Sequence, residues 1–308
     1  MHLLIIIIIM KIPTLKQGDT IKIIAPARKI SYKELESSLL FFKHYDLNVI
    51  LGNNIFNEFH QFAGTDEERT ADFQEALDNP NVKAIFCARG GYGNLRIIDN
   101  LNFTSFKKNP KWICGYSDTT VVHAHLQQLG FPSLHCAMPI DMANMEIDNE
   151  SITSMMNALF NGKLHYTINP HPLNKSGSAK GKLCGGNLSI LYAINNSVSD
   201  SDTKNKILFI EDVDEYLYHI DRMMLNLKRS NKLSHLKALI VGGMSKMNDN
   251  IIPYGLQAEE IILEHTKDFD YPICFGFPAG HIQLNKALLL GTDTEIIINE
   301  NNVQLING

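Results

Sequence analysis

The sequence predicts an α/β protein, with a mostly parallel sheet in its N-terminal half and a smaller α+β unit in its C-terminal half. Short apolar runs alternate with helical patterns through residues 20–135, which is typical of a parallel sheet covered on both faces. A second series of strand-like runs begins after residue 180. A chain of 308 residues also exceeds the size at which one core tends to divide, so we expect two domains.

The N-terminal half begins with the run TIKIIAPA (20–27), which predicts a buried strand. Two capping-box patterns, SYKE (31–34) and TDEE (65–68), predict the starts of two helices. The runs VKAIFCA (82–88) and KWIC (111–114) predict two further strands. Each is followed by a turn that contains glycine and then by a helical pattern, so the order strand, helix, strand is maintained.

The C-terminal half contains the predicted strand KILFIED (206–212), the predicted helix HIDRMMLNLKR (219–229), a strand LKALIVGGM and a final strand-rich stretch. Between the halves, residues 141–180 are rich in turn-forming residues and predict a linker or lid. We therefore predict an N-terminal domain at 10–140 and a C-terminal domain at 181–308.

Composition and charge exclude several classes of protein. A hydrophobic content of 44% and a charged content of 20% are typical of a globular chain. The net charge of −5, without a Lys/Arg block, argues against nucleic acid or an anionic membrane surface as a partner. Five scattered cysteines without a CxxC pair predict buried thiols in a reducing compartment.

The first nine residues need separate treatment because Leu3 to Ile9 form an apolar run. The run is too short to span a bilayer, no Lys or Arg precedes it, and no small-residue cleavage site follows it. We interpret residues 1–9 as a mis-start or a non-native extension, with Met10 as the initiator. A secreted form is the alternative.

The loop ARGGYGNLR (88–96) places three glycines within four positions directly after a predicted strand. It fits neither a phosphate-binding loop, which needs GK[ST], nor a dinucleotide loop, which needs G-x-G-x-x-G. Adjacent glycines permit close approach and expose N–H groups, as an oxyanion hole requires. A tight turn without a catalytic role is the alternative.

Ser117, in KWICGYSDTT (111–120), has the position of the serine in a nucleophile elbow, since a strand and Gly115 precede it and a helical pattern follows. Thr119, however, stands where the G-x-S-x-G pattern has its second glycine. Serine is also common as a helix N-cap. On these residues alone, both interpretations remain open.

The twelve histidines include one in a loop position typical of function, His281, directly after Pro-Ala-Gly. His135 lies in an apolar run and predicts a core histidine. His123 and His125 are two residues apart on a predicted helix and do not share a face, so we expect no metal pair there. The sequence also has no H-E-x-x-H motif or Cys/His cluster.

A carboxylate is needed to orient a catalytic histidine, and Glu211 is placed for that role at the end of the run ILFI. Its rigid position on a strand favours it over Asp212, Asp214 and Glu215, which follow in the next loop. A solvated acidic loop is the alternative for all four residues.

Six segments, taken in order, resemble the LD-carboxypeptidases, the serine peptidase family of the murein tetrapeptide carboxypeptidases and the microcin-immunity peptidases. They are KQGDTIKIIAPA, ARGGYGNLRIIDNLNF, KWICGYSDTT, GGNLSILYAI, KILFIEDVDEYLYHIDRMMLNL and FGFPAGH, and they are distributed in family order across residues 15–292. The resemblance implies a flavodoxin-like N-terminal domain that carries the serine. It also implies a swivelling, β-rich C-terminal domain that carries Glu and His, and a homodimer.

The resemblance also implies the site residues. A Ser–Glu–His triad would consist of Ser117, Glu211 and His281, with Glu215 as the second choice for the acid. The oxyanion hole would use backbone amides of Gly91, or its neighbour Gly90, and of Asp118.

For the substrate, the resemblance implies binding by the glycine loop, through Gly90, Arg89 and Tyr92. Arg89 or Arg96 would hold the free end of the peptide, although Arg89 is as well suited to fixing the loop. No metal and no cofactor are expected.

The activity implied is removal of the terminal D-Ala from an L,D bond of cytoplasmic murein tetrapeptides, as part of peptidoglycan recycling. The segment EDVDEYLYHIDRMM favours this subgroup, whereas NNSVSDSDTKNK departs from the family pattern and leaves the substrate details open. One alternative is a microcin-immunity type that acts on a peptidyl-nucleotide toxin. Another is a catalytically silent peptide-binding protein on the same fold.

Overall fold

The computed structural model describes residues 11–308, so the prediction about residues 1–9 lies outside the described residues. Two sheets and the helices packed on them make up this part of the chain. The strands are β1 (Thr20–Ile24), β2 (Asn48–Leu51), β3 (Val82–Cys87), β4 (Trp112–Gly115), β5 (Ser133–His135), β6 (Leu164–Ile168), β7 (Gly177–Asn187), β8 (Ile207–Val213), β9 (Ala238–Ser245), β10 (Ile273–Cys274), β11 (Leu288–Leu290), β12 (Asp293–Ile298) and β13 (Val303–Asn307).

The helices lie mainly between successive strands, as the alternating pattern predicts. They are α1 (Tyr32–His44), α2 (Asp66–Asp78), α3 (Asn94–Ile97), α4 (Thr104–Lys108), α5 (Thr120–Gln128), α6 (Glu150–Asn161), α7 (Leu188–Ile194), α8 (Leu217–Arg229) and α9 (Ala258–Thr266).

Both predicted capping boxes are confirmed. Ser31 precedes α1, with the Glu34 N–H donating to its Oγ at 3.4 Å and its own N–H donating to Glu34 Oε2 at 2.7 Å. Thr65 and Glu68 make the same reciprocal pair before α2, at 3.3 and 2.8 Å. Each box satisfies two backbone donors that a helix start leaves without partners, which fixes where these helices begin.

The first sheet has the order β2-β1-β3-β4-β5, all parallel, with β11 antiparallel to β5 at the edge. The parallel part has the flavodoxin-like order. The order reverses between β1 and β3, so the loops that follow these two strands flank the crevice where open α/β sheets bind their ligands. The glycine loop is one of these two loops.

The second sheet has the order β10-β9-β8-β7-β12-β13-β6, and β7 to β10 are parallel whereas β7, β12, β13 and β6 pair antiparallel. The predicted fold class is thus confirmed, with two sheets and a parallel-rich first sheet. The segment predicted as a linker or lid, 141–180, contains α6, β6 and the start of β7. The division of the chain into domains at residues 140 and 180 stays a prediction.

The hydrophobic core joins the two sheets. One buried cluster contains Ile21 and Phe86 of the first sheet together with Leu183 and Ile296 of the second. Polar contacts join them as well, because the N–H of Asn187 donates to Thr120 Oγ1 at 3.0 Å. The two sheets therefore pack as neighbours, and the loops at their facing ends meet.

All five cysteines are buried and form no disulfide, as the sequence predicts. Within residues 11–308, no helix is both long and apolar enough to cross a membrane.

Candidate active site

Ser117 occupies a strained turn between β4 and α5. Its φ is +62°, a left-handed value that is uncommon for a residue with a side chain and that recurs at functional sites. The preceding Gly115 has φ +150°, and a Cβ there would lie 2.7 Å from Thr119 Oγ1. His123 supports the turn because its Nε2 hydrogen-bonds the Gly115 carbonyl at 2.9 Å. The residues that looked ambiguous in sequence thus form the sharp strand-to-helix turn of a nucleophile elbow.

A continuous chain of hydrogen bonds joins Ser117, His281 and Glu211. Ser117 Oγ lies 3.1 Å from His281 Nε2, and His281 Nδ1 lies 2.7 Å from Glu211 Oε2. The backbone N–H of His281 donates to the same Glu211 oxygen at 3.1 Å. The Ser117 side chain caps neither of the helices that begin at this turn. Among residues 11–308, its hydroxyl is hydrogen-bonded to His281.

The protonation of His281 follows from its neighbours. A carboxylate only accepts hydrogen bonds, so Nδ1 carries the proton that faces Glu211, and Nε2 is left to accept from the serine hydroxyl. Burial alone would lower the pKa of His281, but the hydrogen bond and charge of Glu211, with the charges of Asp212 and Asp141, raise that pKa above its ordinary value. The imidazole is thus oriented and made more basic, as a general base requires.

The structure separates the two candidates for the acid. Glu211, within β8, is fully buried and contacts His281. Glu215 lies beyond the strand, where it pairs with His219 at 2.5 Å and accepts from Ser189 Oγ at 2.7 Å. Glu215 therefore does not reach His281, and Glu211 is the carboxylate that the fold brings to the histidine.

The turn that carries His281 is held by contacts that sequence reasoning missed. The N–H of Gly280 donates to Asn285 Oδ1 at 2.8 Å, and the N–H of Asn285 donates to Ser151 Oγ at 2.9 Å. Ser245 Oγ donates to the His281 carbonyl at 2.6 Å. Nothing in the sequence pattern links these residues, because their partners lie up to 134 positions away.

Within the glycine loop, Gly90 rather than Gly91 faces the serine. A Cβ on Gly90 would lie 2.9 Å from Ser117 Cβ and 3.0 Å from Ser117 Oγ. A Cβ on Gly91, which has φ +112°, would instead lie 2.5 Å from Arg28 Cδ. Among residues 11–308, no acceptor is found for the backbone N–H groups of Gly90 and Gly91. Within the described part of the chain, the N–H of Gly90 is therefore a free donor on a residue that lies against Ser117.

Asp118 connects the turn that carries Ser117 to the glycine loop. Its side chain is buried, and its Oδ2 accepts from the backbone N–H of Asn94 at 2.8 Å and from Asn94 Nδ2 at 2.9 Å. Desolvation raises the pKa of Asp118 despite these two hydrogen bonds. Since Asn94 directly follows Gly93, the last glycine of the glycine loop, the contact fixes the distance between the two backbone segments predicted to form the oxyanion hole.

The other predicted substrate-binding residues have different surroundings. Arg89 Nη1 donates to the Lys29 carbonyl at 3.1 Å and lies 3.6 Å from Glu34. Arg96 makes a bidentate pair with Asp66. Both arginines therefore hold the loop through contacts within the protein.

Tyr92, in the glycine loop, is exposed, and its ring centroid lies 6.1 Å from that of Phe62. Over residues 11–308, no group of three or more His, Cys, Asp or Glu side chains is placed to hold a metal ion. Within the same residues, the arrangement provides a serine hydroxyl, a base oriented by a carboxylate, and a free backbone donor on the residue against the serine. These are the groups that acyl transfer requires.

Comparisons with known proteins agree with this chemistry. A relative from Bacillus subtilis (strain 168), described as a probable murein peptide carboxypeptidase, is 34% identical over 285 residues, covering 90% of this chain and 88% of the relative. The crystal structure of muramoyltetrapeptide carboxypeptidase from Oxalobacter formigenes is similar with a TM-score of 0.86 at 26% identity, covering 94% of this chain and 98% of that one. The microcin C7 self-immunity protein MccF has a TM-score of 0.85 at 22% identity, covering 96% and 98%, and shows the shared fold.

The family models describe most of the chain. The model of the LD-carboxypeptidase N-terminal domain matches residues 21–136, and that of the LD-carboxypeptidase C-terminal domain matches residues 180–296. The first match contains the serine turn and the glycine loop, and the second contains Glu211 and His281. The resemblance seen in six sequence segments is therefore confirmed, and the chain belongs to the LD-carboxypeptidases, a family of serine peptidases.

Proposed function

We propose that this chain removes the terminal D-Ala from an L,D bond of murein tetrapeptides, with Ser117, His281 and Glu211 as its catalytic triad. The observation that carries the proposal is the unbroken hydrogen-bond chain from Ser117 Oγ through His281 to Glu211. The substrate is proposed from the relatives, which are described as murein peptide and muramoyltetrapeptide carboxypeptidases.

In the first step, Ser117 Oγ attacks the carbonyl carbon of the penultimate residue while its proton passes to His281 Nε2. The imidazolium that forms is stabilised by Glu211, 2.7 Å from Nδ1. The φ of +62° at Ser117 holds the hydroxyl out from the turn, so the nucleophile is oriented before the substrate binds.

The carbonyl oxygen becomes negatively charged as the serine adds to it. Backbone N–H groups on the two sides of Ser117, from Gly90 or Gly91 in the loop and from Asp118 in the turn, are the proposed donors to this oxygen. Fixed donors of this kind stabilise the transition state by about 3–4 kcal/mol each in serine peptidases. Gly90 is the better candidate on the loop side, because it lies directly against Ser117.

The second half of the reaction reverses the proton transfer. His281 Nε2 gives its proton to the nitrogen of D-Ala, the peptide bond breaks, and the shortened peptide remains as an ester on Ser117. A water molecule then attacks the ester carbonyl, again deprotonated by His281, and the serine is regenerated.

We also propose a cytoplasmic homodimer that binds neither nucleic acid nor membranes. The five unpaired, buried cysteines suit a reducing compartment. The net charge of −5 disfavours polyanionic partners. The dimer is proposed on the resemblance to the family.

The function is tested by incubating the protein with a diaminopimelate-containing murein tetrapeptide and measuring the released D-Ala by mass spectrometry. Ser117→Ala should lower the rate by several orders of magnitude without a change in thermal unfolding, because the triad acts as a unit. A fluorophosphonate should label wild type and fail to label Ser117→Ala.

The stereochemistry provides the control. Replacing the terminal D-Ala by L-Ala should reduce turnover strongly, because inversion exchanges the positions of the methyl group and the carboxylate and misplaces the scissile carbonyl. Equal turnover of both epimers would contradict the L,D assignment while leaving a serine mechanism. Labelling without any turnover would instead favour a silent peptide-binding protein.

A further inference from the structure

Arg28 lies in the loop that follows β1, next to the glycine loop that follows β3. The strand order reverses between these two strands, so Arg28 stands at the ligand-binding crevice of the first sheet. Its side chain is exposed, and its stem lies against Gly91, where an added Cβ would be 2.5 Å from Cδ and 2.9 Å from Nε. A side chain at position 91 would therefore displace the arginine.

Ser117 and Arg28 each lie against one of two consecutive glycines, Gly90 and Gly91. The carboxylate carbon of a C-terminal residue is three bonds from the scissile carbonyl carbon, so the two are at most about 3.7 Å apart. Gly90 lies against Ser117 and Gly91 lies against Arg28, and consecutive Cα atoms are about 3.8 Å apart. The glycine pair thus spans the length of the residue that an exopeptidase removes.

The arginines near the serine differ in the hydrogen-bond and ion-pair partners of their guanidinium groups. Arg89 and Arg96 are held by protein acceptors, and Arg69 is buried, with hydrogen bonds to the Pro26 and Gly93 carbonyls. Among residues 11–308, no acidic side chain lies within ion-pair distance of Arg28, and its guanidinium has no hydrogen-bond acceptor. Its five donors are therefore open to a ligand.

We propose that Arg28 binds the free terminal carboxylate of the substrate and so restricts cleavage to the last residue. This deepens the proposed function and rests on it for the identity of the peptide. A planar guanidinium pairs with a carboxylate through two parallel hydrogen bonds, which gives both affinity and a fixed position for the terminal residue. Since Gly91 lies against Arg28 and the adjacent Gly90 lies against Ser117, a terminal residue held by Arg28 has its scissile carbonyl close to the serine.

The test compares the diaminopimelate tetrapeptide with a free terminal carboxylate and the same peptide as its terminal amide. Arg28→Gln should lower kcat/KM for the free acid by about 10- to 100-fold, mainly through KM, and leave the amide unaffected. Arg28→Lys should retain an intermediate preference, because it keeps the charge and loses the second hydrogen bond. Arg229→Gln removes an exposed arginine at the end of α8 and should behave as wild type for both peptides.

A wild-type ratio of acid to amide hydrolysis in Arg28→Gln would overturn the proposal. The affinity of both peptides for Ser117→Ala, measured by calorimetry, tests the arginine site without requiring turnover. It therefore distinguishes a failure of the arginine proposal from a failure of the proposed function. If wild type hydrolyses neither peptide, the proposed function fails. Tighter binding of the acid than of the amide, lost in the Ser117→Ala/Arg28→Gln variant, would then still support the arginine site, and equal binding would exclude it.

Discussion

Glu211 and His281 make a pair in which both the carboxylate and the histidine backbone are fixed. One carboxylate oxygen accepts from the ring and from the main chain of the same histidine, at 2.7 and 3.1 Å. Because the carboxylate is fully buried on a strand, neither its position nor the ring orientation is left to side-chain mobility. Loss of the carboxylate should therefore remove orientation as well as charge.

Two isosteric substitutions test the assignment of the acid. Glu211→Gln should reduce kcat by roughly 10³- to 10⁴-fold, because the histidine loses its orienting anion. Glu215→Gln is the matched control and should change kcat little, because Glu215 pairs with His219 away from the serine. Steady-state rates on the tetrapeptide measure both. A severe loss in Glu215→Gln with normal activity in Glu211→Gln would contradict the assignment.

The pH dependence follows from the raised pKa of His281. Only the neutral imidazole can accept the serine proton, so kcat/KM should fall as the pH drops through that pKa, which lies above its ordinary value of 6.5. In Glu211→Gln, burial remains while the largest contribution that raises the pKa is lost, so the acid limb should move to lower pH. A pH–rate profile of both proteins checks this. An unmoved limb would mean that another group titrates.

At the scale of elements, the turn before His281 depends on a glycine that packs against the acid. Gly280 has φ +103°, and a Cβ there would lie 2.6 Å from Glu211 Oε2. The fully buried Glu211 cannot move aside cheaply. This close approach explains why a glycine directly precedes the histidine.

Gly280→Ala should lower kcat by about 10-fold or more and destabilise the fold by about 1–3 kcal/mol, because the new methyl group displaces Glu211 or the turn. Gly255→Ala is the matched control, since Gly255 has φ +95° and no atom within 4 Å of its added Cβ. It carries the backbone strain without the clash, and its activity should be normal. Rates and thermal unfolding compare the two. Equal activity of the variants would show that the contact with Glu211 is unimportant.

How far the elements could be predicted depends on how local their causes are. The capping boxes at Ser31 and Thr65 and the strand at 82–87 follow from adjacent residues, and they are found where the pattern predicts them. Strand β11 could not be assigned to the first sheet, because an apolar run does not specify its partner.

The same limit applies to the candidate site. The residue types Ser, Glu and His are visible in motifs, but the choice of Glu211 over Glu215 and of Gly90 over Gly91 depends on contacts between distant segments. The sequence also does not single out Arg28, because Gly91, which its side chain contacts, is 63 positions along the chain. The loops after β1 and β3 become adjacent only once the strand order is known.

At the scale of the whole molecule, the candidate site requires both sheets at once. Ser117 follows β4 of the first sheet, Glu211 belongs to β8 of the second, and His281 lies between β10 of the second sheet and β11 of the first. The chain thus crosses back to the first sheet directly after the histidine. Independent movement of the sheets would open the 3.1 Å contact between Ser117 and His281.

The shared core predicts that the two sheets unfold together. The chain has one tryptophan, Trp112, which is buried in β4, so its fluorescence reports the first sheet, whereas far-UV circular dichroism reports both. The two signals should give the same melting temperature.

Ile296→Ala, in β12 of the second sheet, removes a fully buried side chain from the hydrophobic cluster that the two sheets share and should lower the free energy of unfolding by about 2–5 kcal/mol. If the two sheets share one core, this substitution lowers the midpoint measured by tryptophan fluorescence as much as the midpoint measured by circular dichroism, because unfolding is a single cooperative transition. A tryptophan midpoint that stays at the wild-type temperature while the circular dichroism curve splits into two steps would show two independently folding domains, and the site would then depend on their docking.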